Sequence, residues 1–364
     1  MKKKQLYIFI PSIEGGGVEK NLFLISNYLS NKIDKLSIVT VSKKFKKRFN
    51  KNINFISVKN NKWDNYGRLF KYIVCLYMLF LEILKNKNIE VFSFQANIYC
   101  IILCKIFGVR VTVRANSSPV YWSKNYLKKI IFKFVFSFAD AVIVNSKDLK
   151  KEFYNILNIK TICIYNPLNI NQINMLSKNK IQEKFFGNKE ALKIINIGRF
   201  TDQKDHLTLL RSINLIKNKL PLKLIIIGKG KNKEKIMKYI YENKLHKIVK
   251  VKNFLNNPYP YIKKSDIFIL SSIYEGLPNV LLETMSLNKF IISSNCPTGP
   301  YEILQGEKNG LLFKVGNYKE LSRKIIYYSG NKRKMQSKVK LAYKSLKRFD
   351  YKFNLDKYYK IISA

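Results

Sequence analysis

SSIYEGLPNVLLETM, residues 271–285, sets one acid, Glu275, directly before a glycine and a second, Glu283, eight positions later in an apolar run. The preceding SDIFILSS (265–272) reads as a buried strand, and Pro278 stands where a helix starts and its missing N–H costs nothing. A strand, a turn and a helix would then bring two carboxylates and the free amides near Asn279 and Val280 to one pocket, with the helix dipole behind the amides. Carboxylates take sugar or ribose hydroxyls and amides take phosphate, so the arrangement suits a sugar nucleotide. A merely salt-bridged Glu283 is the plain alternative.

Outward from this segment, short β-branched runs alternate with helical patterns along nearly the whole chain, the signature of parallel sheets covered by helices. The first half carries QLYIFIP, LSIVTV, NFISV, EVFSF, RVTVR, AVIVN and TICIY; the second carries ALKIINIGRF, LKLIIIGKG, KIVKVKNF, SDIFILSS, KFIISSN and GLLFKV. Between them NINQINMLSKNKIQEKFFGNKE is polar and strandless and reads as a linker. The expectation is an α/β chain of two doubly wound, Rossmann-like domains facing a central cleft. Their spans are 1–168 and 191–348, with a linker at 169–190 and a final helix near 349–364 packing back on the first domain.

At 364 residues the chain fits two domains, and 47% hydrophobic content supports a globular reading. A net charge of +45 calls for polyanionic partners: nucleic acid, anionic lipid or phosphorylated substrates. Abundant Lys, Asn, Ile and Tyr throughout leave solvated surface as the other explanation. Five scattered cysteines, Cys75, Cys100, Cys104, Cys163 and Cys296, lack a disulfide framework or zinc spacing and read as reduced cytosolic thiols. The apolar stretch after the first lysines is too short for a signal peptide, and the longest apolar run, YIVCLYMLFL (72–81), is too short to span a bilayer.

Two more places carry chemistry. Gly15, Gly16 and Gly17 precede an amphipathic helix, where close backbone approach and exposed amides attract phosphate or merely form a tight turn. After the strand ending in Gly198, Arg199 and Lys204 can neutralise a diphosphate, one as a planar fork and one as a point charge, or can be two surface cations.

Gly16-Gly17-Val18-Glu19, Asn166-Pro167, Ile197-Gly198-Arg199-Phe200 with Gln203-Lys204, Gly228-Lys229-Gly230 and Glu275-Gly276-Leu277-Pro278-Asn279-Val280-Leu281-Leu282-Glu283 resemble, in family order, the retaining GT-B glycosyltransferases of family 4. The resemblance implies catalytic roles for Glu275, Arg199 and Lys204. Arg199 and Lys204 would hold the donor diphosphate, Glu275 the sugar and Glu283 the ribose. Gly16 and Gly17 would face the diphosphate and acceptor, and Phe254 would lie near the base. Gly276, Leu277, Asn279 and Val280 complete the implied donor site. SNCPTGPYEIL (294–304) is similar to bacterial members that build oligosaccharides on a polyprenyl diphosphate from UDP-sugars. Many members carry a histidine after the strand that here reads VTVRANSSP; this chain has Arg114 and Asn116 there, which become candidate acceptor or donor contacts.

The implied function is a retaining hexosyl or N-acetylhexosaminyl transfer from a UDP-sugar to a polyprenyl-diphosphate-linked saccharide, for O-antigen, capsule or N-glycan. No cofactor is expected, and without an Asp-x-Asp no metal either. A GT-B sugar-nucleotide epimerase and a basic nucleic-acid-binding protein are the alternatives, although the motif set offers no nucleic-acid reading helix or aromatic-basic strand. In SKNYLKKIIFKFVFSFAD (123–140), helical spacing assigns Leu127, Ile130, Ile131, Phe134, Val135 and Phe138 to the core. It turns Phe132 and Phe136 outward beside Lys128, Lys129 and Lys133. That outward pair predicts peripheral attachment to the anionic inner face of the cytoplasmic membrane.

Overall fold

The computed structural model describes residues 5–14, 16–58, 63, 66–121, 125–187 and 190–364, and Gly15 lies outside them. The chain forms two units, Met1–Pro167 with Tyr351–Ala364, and Leu168–Asp350.

In the first unit seven parallel strands are ordered β3-β2-β1-β4-β5-β6-β7. They are β1 (Gln5–Phe9), β2 (Lys35–Val39), β3 (Asn54–Ile56), β4 (Ile89–Ser93), β5 (Arg110–Ala115), β6 (Ala141–Val144) and β7 (Ile162–Cys163). The first two run in register from Gln5 opposite Lys35 to Phe9 opposite Val39. Helices α1 (Gly17–Ser30), α2 (Arg68–Lys85), α3 (Asn97–Ile106), α4 (Tyr126–Ser137) and α5 (Lys147–Leu157) connect them. Central strands buried on both faces are apolar along their length, as in QLYIF, where four of five residues are buried.

The second unit opens with α6 (Ile170–Ser177) and builds a parallel sheet of six strands, ordered β10-β9-β8-β11-β12-β13. The strands are β8 (Leu192–Ile197), β9 (Leu222–Ile227), β10 (Val249–Lys252), β11 (Ile267–Leu270), β12 (Phe290–Ser294) and β13 (Leu311–Phe313). Seven helices complete it: α7 (His206–Ile216), α8 (Lys233–Glu242), α9 (Tyr259–Lys264), α10 (Asn279–Ser286), α11 (Pro300–Leu304), α12 (Tyr318–Gly330) and α13 (Lys332–Ser345). Ile194, Leu224, Ile226, Ile269 and Ile292 form the core on one face of this sheet, while Ile195, Ile225, Phe268 and Ile291 are equally buried beside them in the strands.

The segment expected as a linker is partly helical. Asn169 caps α6 by accepting from Gln172 N, Ile173 is buried, and the helix packs on α9 and α10 within the second unit. The final helix, α14 (Tyr351–Ser363), belongs to the first unit. It rests on α1, where Asp356 takes the hydroxyl of Tyr28 and, at 3.1 Å, the ammonium of Lys32. Leu355, Tyr358 and Ile362 join the core of Leu6, Ile8 and Leu22.

Helix α4 turns opposite to the sequence expectation. Val135 and Phe136 are its buried residues, Phe136 meets Phe153 of α5 edge-on at 5.6 Å, and Phe132 packs against the same core. Leu127, Ile130, Ile131, Phe134 and Phe138, assigned to the core by spacing, are exposed. The outward Phe132 and Phe136 pair is therefore corrected: a helix apolar on most of its circumference is oriented by its neighbours, here α3 and α5. Lys128 and Lys133 are exposed and Lys129 is half-buried. Among the described residues no helix is long and apolar enough to cross a membrane.

Candidate active site

The strand order of the second sheet reverses between β8 and β11, and in open α/β sheets ligands bind at such a switch point, at the carboxyl ends of the strands. The loops leaving β8 and β11 there carry Lys204 and Glu275. Their ammonium and carboxylate pair directly, with side chains only 14% and 8% exposed.

Backbone and hydroxyl groups bind these loops together. Ile273 N donates to Gln203 O at 2.8 Å, Gln203 Nε2 to Tyr274 O at 2.9 Å, and Ser271 Oγ to Lys204 O at 2.9 Å. The end of β12 and the loop after it brace the glutamate from behind: Ser294 Oγ donates to Ser272 O at 2.6 Å, and Thr298 Oγ1 to Glu275 O. Ser272 Oγ donates to the Glu275 carboxylate itself at 2.6 Å. These hydroxyl residues are almost wholly buried, so the carboxylate is held in one orientation. Gln203 stands in the motif read with Lys204, whereas the serines and Thr298 were given no role in the sequence; their only signal is a run of hydroxyl residues at strand ends.

Across β8 lies the loop after β9. A Cβ on Gly228 would fall 1.9 Å from Gly198 O, and Phe200 N donates to Lys229 O at 2.8 Å, so the Gly198–Phe200 turn seats on a backbone only glycine permits. Lys204 follows in a single 3-10 turn, Asp202–Lys204, and Asp205 caps α7 by accepting from Thr208 N. Arg199 is exposed. Phe254 is exposed too, with the Lys229 ammonium 5.2 Å above its ring.

His206, at the start of α7, is buried edge-on against Phe200 at 5.3 Å with no hydrogen-bond partner on either ring nitrogen. Burial, with Lys204 nearby, lowers its pKa to about 4, so it is neutral and structural near pH 7. Cys296 lies beside the same pair, and burial pushes its thiol up to about 12, which leaves it unreactive.

Pro278 occupies the N-cap of α10, one residue before the expected start, and Asn279 and Val280 are its first two residues. Gly276 is half-buried, Leu277 is buried, and Gly299, at φ +89°, lets the β12 loop close on Gly276 O. Glu283 is buried one turn into α10 and accepts from Tyr259 Oη at 3.4 Å. Tyr259, on α9, is a further neighbour that sequence reading passed over. Among the described residues no group of three or more His, Cys, Asp and Glu side chains is arranged to hold a metal ion.

In the first unit Gly16 is the N-cap of α1 and Gly17 its first residue. The Glu19 carboxylate lies 3.0 Å from where a Gly16 Cβ would be. Arg114 requires a correction: it is fully buried, and its guanidinium is consumed inside the fold. Nε donates to Tyr358 Oη at 2.8 Å, Nη2 to Asn166 Oδ1 at 2.6 Å, and Nη1 to Asn116 Oδ1. It ties β5 to α14 by these bonds; Asn116, half-buried, is spent largely on Arg114 and on Phe94 O.

Two parallel doubly wound sheets, the second with a cation and a carboxylate at its switch point, make a GT-B fold. Residues 177–345 match the sequence model of the glycosyl transferases group 1. The match takes in Arg199, Lys204, Glu275 and Glu283 and covers just under half of the chain. An uncharacterized glycosyltransferase, MJ1059, of Methanocaldococcus jannaschii is 37% identical over 57% of this chain, which spans 55% of that relative's length. The N-acetylgalactosamine-N,N'-diacetylbacillosaminyl-diphospho-undecaprenol 4-alpha-N-acetylgalactosaminyltransferase of Campylobacter jejuni is 27% identical over 94% of this chain and 93% of its own. The crystal structure of Anabaena Alr3699/HepE in complex with UDP superposes with a TM-score of 0.80 over 99% of both chains, at 16% identity. Neither the epimerase nor the nucleic-acid-binding alternative gains support from these likenesses.

Proposed function

We propose that the chain is a glycosyltransferase that moves a hexose or N-acetylhexosamine, with retention, from a UDP-sugar to a saccharide carried on polyprenyl diphosphate, in building a surface glycan. The reading rests on the Lys204 and Glu275 pair, brought from neighbouring loops to the switch point of the second sheet. On donor binding Lys204 and Arg199 take the diphosphate, Glu275 the sugar and Glu283 the ribose. Phe254 stacks along the base, and the first amides of α10, at Asn279 and Val280, add donors backed by the helix dipole. The turn at Gly16 and Gly17 is read as facing the diphosphate and the acceptor.

In front-face attack the departing diphosphate accepts the acceptor's proton. The protein then needs no strong base, and its share is fixed charge set where the leaving group develops negative charge. No metal is required in this scheme. The Campylobacter relative acts, by its name, on a diphospho-undecaprenol substrate, which supports a lipid-linked acceptor. The complex of HepE with UDP supports the nucleotide. The reaction is placed on the cytoplasmic side of the membrane, with the enzyme peripheral to it.

A panel of radiolabelled UDP-hexoses and UDP-N-acetylhexosamines, incubated with lipid extract, tests this. One donor should carry label into the lipid phase, unchanged by EDTA, and the product should keep the donor's anomeric configuration. No incorporation from any UDP-sugar sinks the donor class, and activity lost to EDTA and restored by magnesium sinks the metal-free scheme.

A further inference from the structure

In a chain with 68 Lys and Arg residues, exposed helix faces are expected to be lysine-rich, and α13 (KRKMQSKVKLAYKS) is. The outer sides of α2, α3 and α4 are not. On α2, Ile73 and Tyr77, one turn apart, are 63% and 60% exposed; on α3, Ile102 and Ile106 stand out, the latter 71% exposed; on α4, Ile131 and Phe134 do the same. These helices cover one face of the first sheet, α3 packing on both α2 and α4, so the side chains belong to one neighbourhood. Soluble monomers rarely leave contiguous apolar surface of this kind uncovered.

Charge decides the occupant. Lys128 and Lys133 flank the apolar residues of α4, and the adjoining α5 presents Lys147, Lys150 and Lys151. Of the nearby acids, Glu82 accepts from Tyr7 at 3.1 Å and Lys85 at 2.6 Å, Asp140 holds Lys105 at 2.6 Å, and Asp148 and Glu152 of α5 are half-buried, so exposed lysines outnumber exposed carboxylates here. A second copy would set one +45 chain against another, whereas an anionic bilayer offers hydrocarbon to the apolar side chains and negative headgroups to the lysines. We infer that the outer face of α2, α3 and α4 is a docking surface for an anionic lipid bilayer. It rests on the lipid-linked acceptor proposed above only for the reason a bilayer lies at hand, and it assigns a different face of α4 from the one helical spacing indicated.

The test is co-sedimentation of the chain with phosphatidylcholine vesicles, with and without phosphatidylglycerol. Wild type should sediment with the anionic vesicles and lose binding at high salt. A triple variant, Ile73→Ser with Ile106→Ser and Phe134→Ser, should lose about tenfold or more in partitioning, because it removes only exposed apolar area. Its melting temperature and UDP affinity should stay near wild type. Lys128→Gln with Lys133→Gln provides a second route, since it should weaken binding to anionic vesicles without touching apolar packing. Undiminished binding by both variants, equal binding of wild type to neutral vesicles, or a wild-type dimer that the triple variant dissolves would each overturn the assignment. Should no UDP-sugar support transfer while these vesicle results hold, the docking face stands and the glycosyl-transfer reading alone fails.

Discussion

Ser272 Oγ donates to Glu275 Oε1 at 2.6 Å, on the same oxygen that Lys204 holds as an ion pair. One carboxylate oxygen is thus fixed from two sides, and Glu275 has little rotational freedom left.

Removing the smaller of these two partners isolates orientation from charge. Ser272→Ala should leave the melting temperature within a few degrees of wild type but lower kcat roughly ten- to a hundredfold, the scale of a hydrogen bond to a charged group at about 1.5–3 kcal/mol. KM for the donor should move less, and Ser272→Thr should recover part of the loss. Unchanged kcat in Ser272→Ala would show that the serine does not orient the glutamate.

Removing one charge of the pair is a different experiment. Lys204→Met leaves a buried carboxylate uncompensated, a loss that costs about 3–5 kcal/mol in buried pairs, so both stability and UDP affinity should fall. In the double variant with Glu275→Leu, denaturant unfolding should return most of the stability while turnover stays at background. A double variant no more stable than Lys204→Met would mean that the pair is not coupled.

His206 makes the second unit sensitive to mild acid. Its folded-state pKa, about 4, lies below the ordinary 6.5 of the unfolded chain, so on acidification the unfolded state takes up the proton first. The stabilising effect is therefore complete above pH 6.5 and disappears as pH falls toward 4, up to about 3 kcal/mol at 1.36 kcal/mol per unit. Urea midpoints measured between pH 7 and 4 should fall, and His206→Phe should flatten the slope in that window. Parallel curves for the two proteins would rule His206 out as the source.

Arg114 should behave as a structural tie. Tyr358→Phe removes one of its partners and should lower stability by about 1–2 kcal/mol, while Arg114→Leu strands Tyr358, Asn166 and Asn116 together and should cost more. Limited proteolysis should release α14 sooner in both variants, with UDP affinity nearly unchanged. A variant that keeps α14 protected but loses transfer would restore a direct role for Arg114.

The strands, the order of the motifs and the junction of SDIFILSS with the helix holding Glu283 were legible in the sequence, because apolar runs buried on both faces and a proline at a helix start are local signals. The sequence also named Lys204 and Glu275 individually. Their direct pairing, and the bracing of Glu275 by Ser272 and Thr298, come from strands β8, β11 and β12 lying side by side, and no local pattern encodes that adjacency. Arg114 shows the same limit: next to Asn116 in VTVRAN it reads as a loop cation, yet its partner Tyr358 is 244 residues away. Helix α4 marks where periodicity itself fails. With apolar side chains around most of its circumference, its inner face was decided by the shape of α3 and α5, which seat Val135 and Phe136 and leave Ile131 and Phe134 outside.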